Sequence, residues 1–298
     1  MAVAVAFAFL AACGFATGNV LIRVGTQRVP APTATLLTVF SGIILIAGLA
    51  LVFRLDEISS LSIEALGWIL VLGILGYPMA RLFMITAISM VGAAKAVPMA
   101  GLQPVVAFAL GVVLLGERPD LLVIVGTPII VVGLFFVVMP RRGTVSGDGV
   151  VHVKRLGYLL AIGGAATFAG RDVISRHVVS GLIDPLVSAG LALAIGGTIL
   201  AVILHRQVAN TVMTIPRKYL LVCILAGVFQ GLAVASLFQA LSRAPVTTVS
   251  PIYASQPLIT LILAHFFLKR LETIDFLLAL GTMISVVGVI LVVLGATG

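Results

Sequence analysis

Apolar runs alternate along this chain with short breaks that hold most of its charges and turn residues. A helix that crosses a bilayer needs about 20 mostly apolar residues. Runs of that size cover 3–23, 33–53, 66–88, 95–115, 120–139, 157–177, 185–204, 219–241, 246–268 and 274–295. The pattern predicts an all-α integral membrane protein with ten transmembrane helices. One break differs from the rest. "PRRGTVSGDGVVHVKR", Pro140 to Arg155, is polar, basic and glycine-containing. It predicts a linker over 140–156 that joins a first half, 1–139, to a second, 157–298.

The two halves repeat one another. At an offset of 153, Pro98, Gln103 and Pro104 fall on Pro251, Gln256 and Pro257. Phe15, Asn19, Arg23 and Pro32 fall on Phe168, Asp172, Arg176 and Pro185 at the same offset. Past His265 the offset becomes 155, and Glu117 and Asp120 fall on Glu272 and Asp275. Apolar composition alone aligns many Leu and Val residues, but not prolines, glutamines and acids at nearly fixed spacing. An internal duplication is predicted. Each half holds five runs, an odd number, so the second enters the bilayer from the opposite side. The expected architecture is two inverted-topology five-helix repeats.

Composition agrees with this class. The chain is 61% hydrophobic and 9% charged, against about 25% charged in globular domains. The formal net charge is +8, but the cations sit between apolar runs, which speaks for membrane topology and against nucleic acid as a partner. Twelve Lys and Arg residues lie in the odd-numbered breaks and four in the even-numbered ones. The positive-inside rule then places the odd breaks and the linker in the cytoplasm and both termini outside. Cys13 and Cys223 lie in apolar runs without metal-ligand spacing and read as free thiols. "LAAC" ends at Cys13, but no Lys or Arg precedes it and the run continues through Val20, so a retained first helix is expected rather than a signal peptide.

The late part of each half carries one pattern. It reads "AAKAVPMAGLQPVVAFALGVVLLGERPD" (Ala93 to Asp120) and "APVTTVSPIYASQPLITLILAHFFLKRLETID" (Ala244 to Asp275). Small residues, two prolines separated by five residues, an apolar stretch and a closing glutamate make up that pattern. On these residues the chain resembles the drug/metabolite transporter superfamily, specifically its ten-span EamA-type members. The resemblance implies a multi-pass protein of the cell inner (plasma) membrane that transports small metabolites, often exporting amino acids or related compounds. The four-span multidrug members carry a membrane-embedded glutamate in their first helix, whereas the first run here holds no acid.

Lipid tolerates irregular backbone only where it is buried in protein or lines a cavity. Each proline removes a donor and crowds the carbonyl four residues back, at about 3 kcal/mol in a helix interior. Pro98, Pro104, Pro251 and Pro257 therefore predict bends in spans four and nine beside a central cavity, with Gln103 and Gln256 facing a solute. Packing kinks with glutamines bonded to neighbouring helices are the structural alternative. Arg81 lies near the middle of span three, where an arginine costs at least about 2.5 kcal/mol and is expected to face an interior cavity. Its planar donor fork suits a carboxylate or another anionic group. A structural bond to loosened carbonyls of span four would also hold it.

Asp172 follows Arg171 and lies one turn before Arg176, so a local ion pair is expected. With its repeat partner Asn19 it is a candidate gate or proton-coupling position. Further polar candidates for the substrate wall are Tyr77, Gln230, Ser236, Gln239, Tyr253 and Ser255. Glu117 and Glu272 read as interfacial ion pairs or as caps of the following helices, with Asp120 and Asp275.

The overall expectation is a secondary transporter, monomeric or homodimeric, with no cofactor, no metal and no catalytic residues. It would move a zwitterionic or anionic metabolite outward, with a small-molecule substrate and the lipid bilayer as its partners. A multidrug or organic-cation exporter of the same fold is the nearest rival. A membrane enzyme acting on a lipid-linked substrate is the rival from another class. Such an enzyme needs clustered carboxylates or histidines, whereas His152, His177, His205 and His265 lie in separate segments. No P-loop spacing is present to suggest ATP drive.

Overall fold

The computed structural model describes residues 1–91, 99, 101–138, 155–209, 215–267 and 276–297. Pro98, Glu272, Asp275, His152 and most of the 140–156 linker lie outside them, as does the side chain of His265. The first two apolar runs form α1 (Ala2–Gly25) and α2 (Ala31–Phe53). Pro32 lies in the first turn of α2, where a missing N–H loses no helical bond. A short helix that the pattern does not predict, α3 (Leu55–Ser59), follows α2.

The third run is not one regular helix. It is α4 (Ile63–Ile74), a π-helical segment (Leu75–Met79) and α5 (Ala80–Val91). The Ser62 hydroxyl caps α4 by accepting the Ala65 N–H at 3.1 Å. Pro78 sits inside the π segment. Its ring cannot donate and crowds the preceding turn, and the wider π turn accommodates both effects.

Turns stand at matching points of the two halves, before Gln103 and before Gln256. Gly101–Leu102 is a turn, followed by α6 (Gln103–Leu115). In the second half, α11 (Val246–Tyr253) ends at the turn Ala254–Ser255, and α12 (Gln256–Phe267) begins after it. Pro104 and Pro257 are each the second residue of a new helix, where proline is tolerated. They start half-helices rather than bend continuous ones. Pro251 lies inside α11.

The remaining spans are α7 (Leu121–Val138), α8 (Arg155–Val179), α9 (Pro185–Ala209), α10 (Arg217–Arg243) and α13 (Phe276–Thr297). Among the described residues seven helical spans are long and apolar enough to cross a membrane. α8 is long enough, with 25 residues, but is not among the seven; Arg171, Asp172 and Arg176 dilute its apolar character.

The packing pairs elements across the halves. α1 packs on α10, and α5 packs on α8; these are counterpart pairs when the halves are exchanged. The same exchange relates α2–α10 to α4–α9, and α6–α8 to α1–α12. α2 packs on its own counterpart α9, and α7 on its counterpart α13. Lipid supplies no hydrophobic drive between helices, so small residues that allow close backbone approach carry such contacts. A Cβ added at Gly133 would lie 2.5 Å from the Ser285 nitrogen, and one at Gly288 would lie 2.7 Å from the Ile130 nitrogen. Either substitution would force α7 and α13 apart.

Candidate functional site

A cavity of about 470 Å³ lies between the halves. α1 contributes Phe15 and Asn19 to its wall, and α2 contributes Ala31, Thr35 and Thr38. Tyr77 comes from the π segment and Arg81 from α5, four residues on and so on the same helical side. Phe168 and Arg171 of α8 and Gln230 of α10 stand on the other walls. Gln103, Tyr253 and Gln256, at the two helix breaks, complete it. Ala31 is exposed, so the cavity reaches the surface at the joint between α1 and α2. α6 and α12 both begin at the cavity, which places the positive ends of two half-helix dipoles beside it.

Two arginines line this space, and their surroundings differ. Arg171 Nε donates to Asp172 Oδ1 at 3.0 Å, and its terminal nitrogen donates to the same oxygen. Asp172 Oδ2 also accepts from Gln103 Nε2 at 3.0 Å and from the Tyr253 hydroxyl at 2.9 Å. Gln103 additionally donates to the Tyr253 oxygen. Asp172 is fully buried, so each carboxylate oxygen is satisfied without water. The Arg171 guanidinium lies 5.3 Å from the Phe168 ring centre. Its stem crosses Gly76 of the π segment, where a Cβ would lie 2.7 Å from Arg171 Cδ. Arg81 has no carboxylate within ion-pair distance among the described residues.

Of the residues expected on the wall, Arg81, Tyr77, Gln103, Gln256, Tyr253 and Gln230 meet in this cavity, and the gate candidate Asn19 joins them there. Asp172 stands behind the wall and is bonded to it. Ser236, Gln239 and Ser255 are elsewhere. Ser236 and Gln239 lie six and nine residues past Gln230 and so point to other sides of α10. Gln239 is bonded by Arg243, and Ser255 Oγ donates to the Ile252 carbonyl at 2.7 Å, closing the turn of span nine. Arg171, which the sequence marks only as a neighbour of Asp172, is also a wall residue. The depth argument that singles out Arg81 applies equally to it. Phe15 and Phe168 stand out in the sequence only as matched repeat positions, and Pro78, at the irregular turn, has no matching proline in the second half.

The end of the bundle opposite Ala31 is held by contacts between the halves. Gly116, in the left-handed region at φ 65°, ends α6 and turns the chain outward. Glu117 then reaches the start of α11, where it accepts the N–H groups of Val246 and Thr247 at 2.8 and 2.9 Å. It therefore caps a helix of the other half and not the one that follows it. Asp120 takes that second role, accepting the Leu122 N–H at 2.9 Å. Arg176 lies 4.0 Å from Glu117 and donates to the Leu241 carbonyl at 2.6 Å. Around this centre Arg54 pairs with Asp184 at 3.5 Å, Trp68 packs edge-on against His177 at 5.3 Å, and Arg243 lies over the Phe7 ring at 5.1 Å.

Comparison with known proteins fits this geometry. The model of the EamA-like transporter family matches residues 2–139 and 155–294, once in each half. No curated protein matches the chain. A solved crystal structure, described only as that of a protein, superposes with a TM-score of 0.81 at 21% identity, covering 98% of this chain and 97% of that one. That likeness concerns the fold alone. Two family matches that together span nearly the whole chain, on an all-helical frame of apolar spans around a central cavity, place this chain in the EamA-like transporter family, as a multi-pass membrane transporter of small molecules.

Proposed function

We propose that this protein is a secondary transporter that carries a small zwitterionic or anionic solute, an amino acid or a related carboxylate, by alternating access. The observation that carries the proposal is Arg81, a cation on the wall of a 470 Å³ cavity with no carboxylate within ion-pair distance among the described residues. A guanidinium there favours a planar anion, which it can hold with two parallel hydrogen bonds. Asp172 neutralises Arg171, so the wall retains one uncompensated positive charge, reinforced by the two half-helix ends. The rival organic-cation exporter fits this wall poorly, because no acid stands on it among the described residues.

The proposed architecture is ten spans in two halves of opposite orientation. The exchange-related helix pairs and the matched breaks before Gln103 and Gln256 support it. Alternating access is supported by the contrast between the two ends: one opens at Ala31, and the other is clasped around Glu117. For the solute to leave by the second end, the Glu117 cap and the Arg54–Asp184 pair must open. Export is the proposed direction, on the family resemblance, and the charge count assigns the linker to the cytoplasm. Accessibility of a cysteine placed in the linker tests that assignment.

Counterflow in proteoliposomes tests the function. Loaded unlabelled amino acid is expected to draw in labelled amino acid through the wild type, and Arg81→Gln is expected to abolish the exchange. Exchange of organic cations alone, or chemical consumption of the solute, would contradict the proposal.

A further inference from the structure

A second cavity, of about 290 Å³, adjoins the first. Gln103, Tyr253 and Gln256 line both, so the two spaces meet at the helix breaks. Beyond them the character changes. Val131, Leu134 and the half-exposed Phe135 of α7 line the second cavity, together with Leu102 and Pro257. Small-molecule sites are mostly apolar spaces of about 300–1,000 Å³ with a few placed polar groups. The side pocket matches the low end of that range. Its polar side chains are those it shares with the first cavity, Gln103, Tyr253 and Gln256.

We propose that this side pocket receives the apolar portion of the transported solute. The inference rests on the transport function proposed above and narrows its substrate to an amphipathic carboxylate. The carboxylate sits at Arg81, the polar neck is Gln103, Tyr253 and Gln256, and the hydrocarbon tail lies against Leu134. The break in span nine then has a second purpose. It ends α11 at Tyr253 and restarts the helix at Gln256, leaving between the two half-helices the gap through which a tail passes.

The test is a homologous series of straight-chain α-amino acids, from alanine to 2-aminooctanoate, competing for counterflow in proteoliposomes. The polar head is constant, so any trend belongs to the tail. In the wild type the apparent affinity is expected to rise by up to about fourfold per methylene until the pocket is full. Val131→Phe, which fills the pocket, is expected to flatten that rise. Leu134→Ala, which enlarges the pocket, is expected to extend the rise to longer chains. The opposite signs keep the test informative if one variant folds poorly. Affinities independent of chain length in the wild type, with alanine still exchanged, would overturn the subsite and leave the transport function standing. Absence of exchange for every amino acid would overturn the transport function itself. A wild-type rise that neither variant alters would place the tail elsewhere. Mass spectrometry showing a retained phospholipid in the wild type that Val131→Phe expels, with the chain-length trend unmoved, would make the pocket a lipid site and also overturn the proposal.

Discussion

The walls built by α1 and α8 occupy the same position in the two repeats, yet they are chemically different. On α1 the positions are Gly18 and Asn19; on α8 they are Arg171 and Asp172. Asn19 accepts a hydrogen bond from Gln230 at 3.3 Å. Asp172 holds Arg171, Gln103 and Tyr253 together. The space needed by the long partner is made in different helices. Gly18 leaves room for Gln230, since a Cβ there would lie 2.6 Å from Gln230 Cγ. Gly76 leaves room for Arg171. Duplication thus provides a frame of matched positions, and divergence within each pair decides which wall is charged. A transporter with identical halves would present the same chemistry to a solute twice. This one presents an amide wall and a cationic wall.

The sharpest way to break that comparison is to remove the acid. Asp172→Ala leaves Arg171 buried without its partner, and losing one member of a buried pair costs about 3–5 kcal/mol. Asn19→Ala removes one long hydrogen bond and is expected to cost about 0.5–1.5 kcal/mol. Thermal unfolding of both variants in nanodiscs measures the difference, and equal losses would mean that the walls do not differ as described.

Of similar size is Glu117→Ala. It removes two charge-assisted bonds to backbone N–H groups, each worth about 1.5–3 kcal/mol. The expected result is greater labelling of a cysteine placed near Val246, with more of the protein open at that end. Unchanged labelling would show that the clasp does not hold the ends apart. Gly76→Ala is expected to cost about 1–3 kcal/mol through crowding of Arg171 and to weaken solute binding. Gly170→Ala, with nothing within 4 Å of the added carbon, serves as its control.

The smallest stability effect is expected for Gln256→Ala. Its amide has no hydrogen-bond partner among the described residues, so the loss should stay within about 0.5 kcal/mol. Its repeat mate Gln103 is bonded to Asp172 and Tyr253, and Gln103→Ala should cost clearly more. Counterflow should fall in both variants, which separates binding from stability.

Much of this was legible in the sequence. Length and apolarity located the helices, because a bilayer fixes the span of an apolar run. The repeat located the two breaks, because prolines and glutamines are rare enough in such runs for their alignment to stand out. The cost of a charge in lipid singled out Arg81. What escaped was set by contacts between distant elements. Nothing near Glu117 in sequence indicates that it caps the helix beginning at Val246. The side-chain register that turns Gln239 and Ser236 away from the cavity depends on how α10 packs against α1 and α2. The π turn at Pro78 arises from a single proline without a repeat partner, and pairing was the signal by which the other breaks were found.

The decisive measurement is equilibrium binding of an α-amino acid and of its decarboxylated amine to the wild type and to Arg81→Gln, both in nanodiscs. The wild type should prefer the carboxylate-bearing solute by about tenfold to about a hundredfold, the value of one charge-assisted hydrogen-bonded contact, and Arg81→Gln should lose that preference. A preference that survives the substitution undiminished would place the anion elsewhere in the protein and leave the cavity without its assigned role.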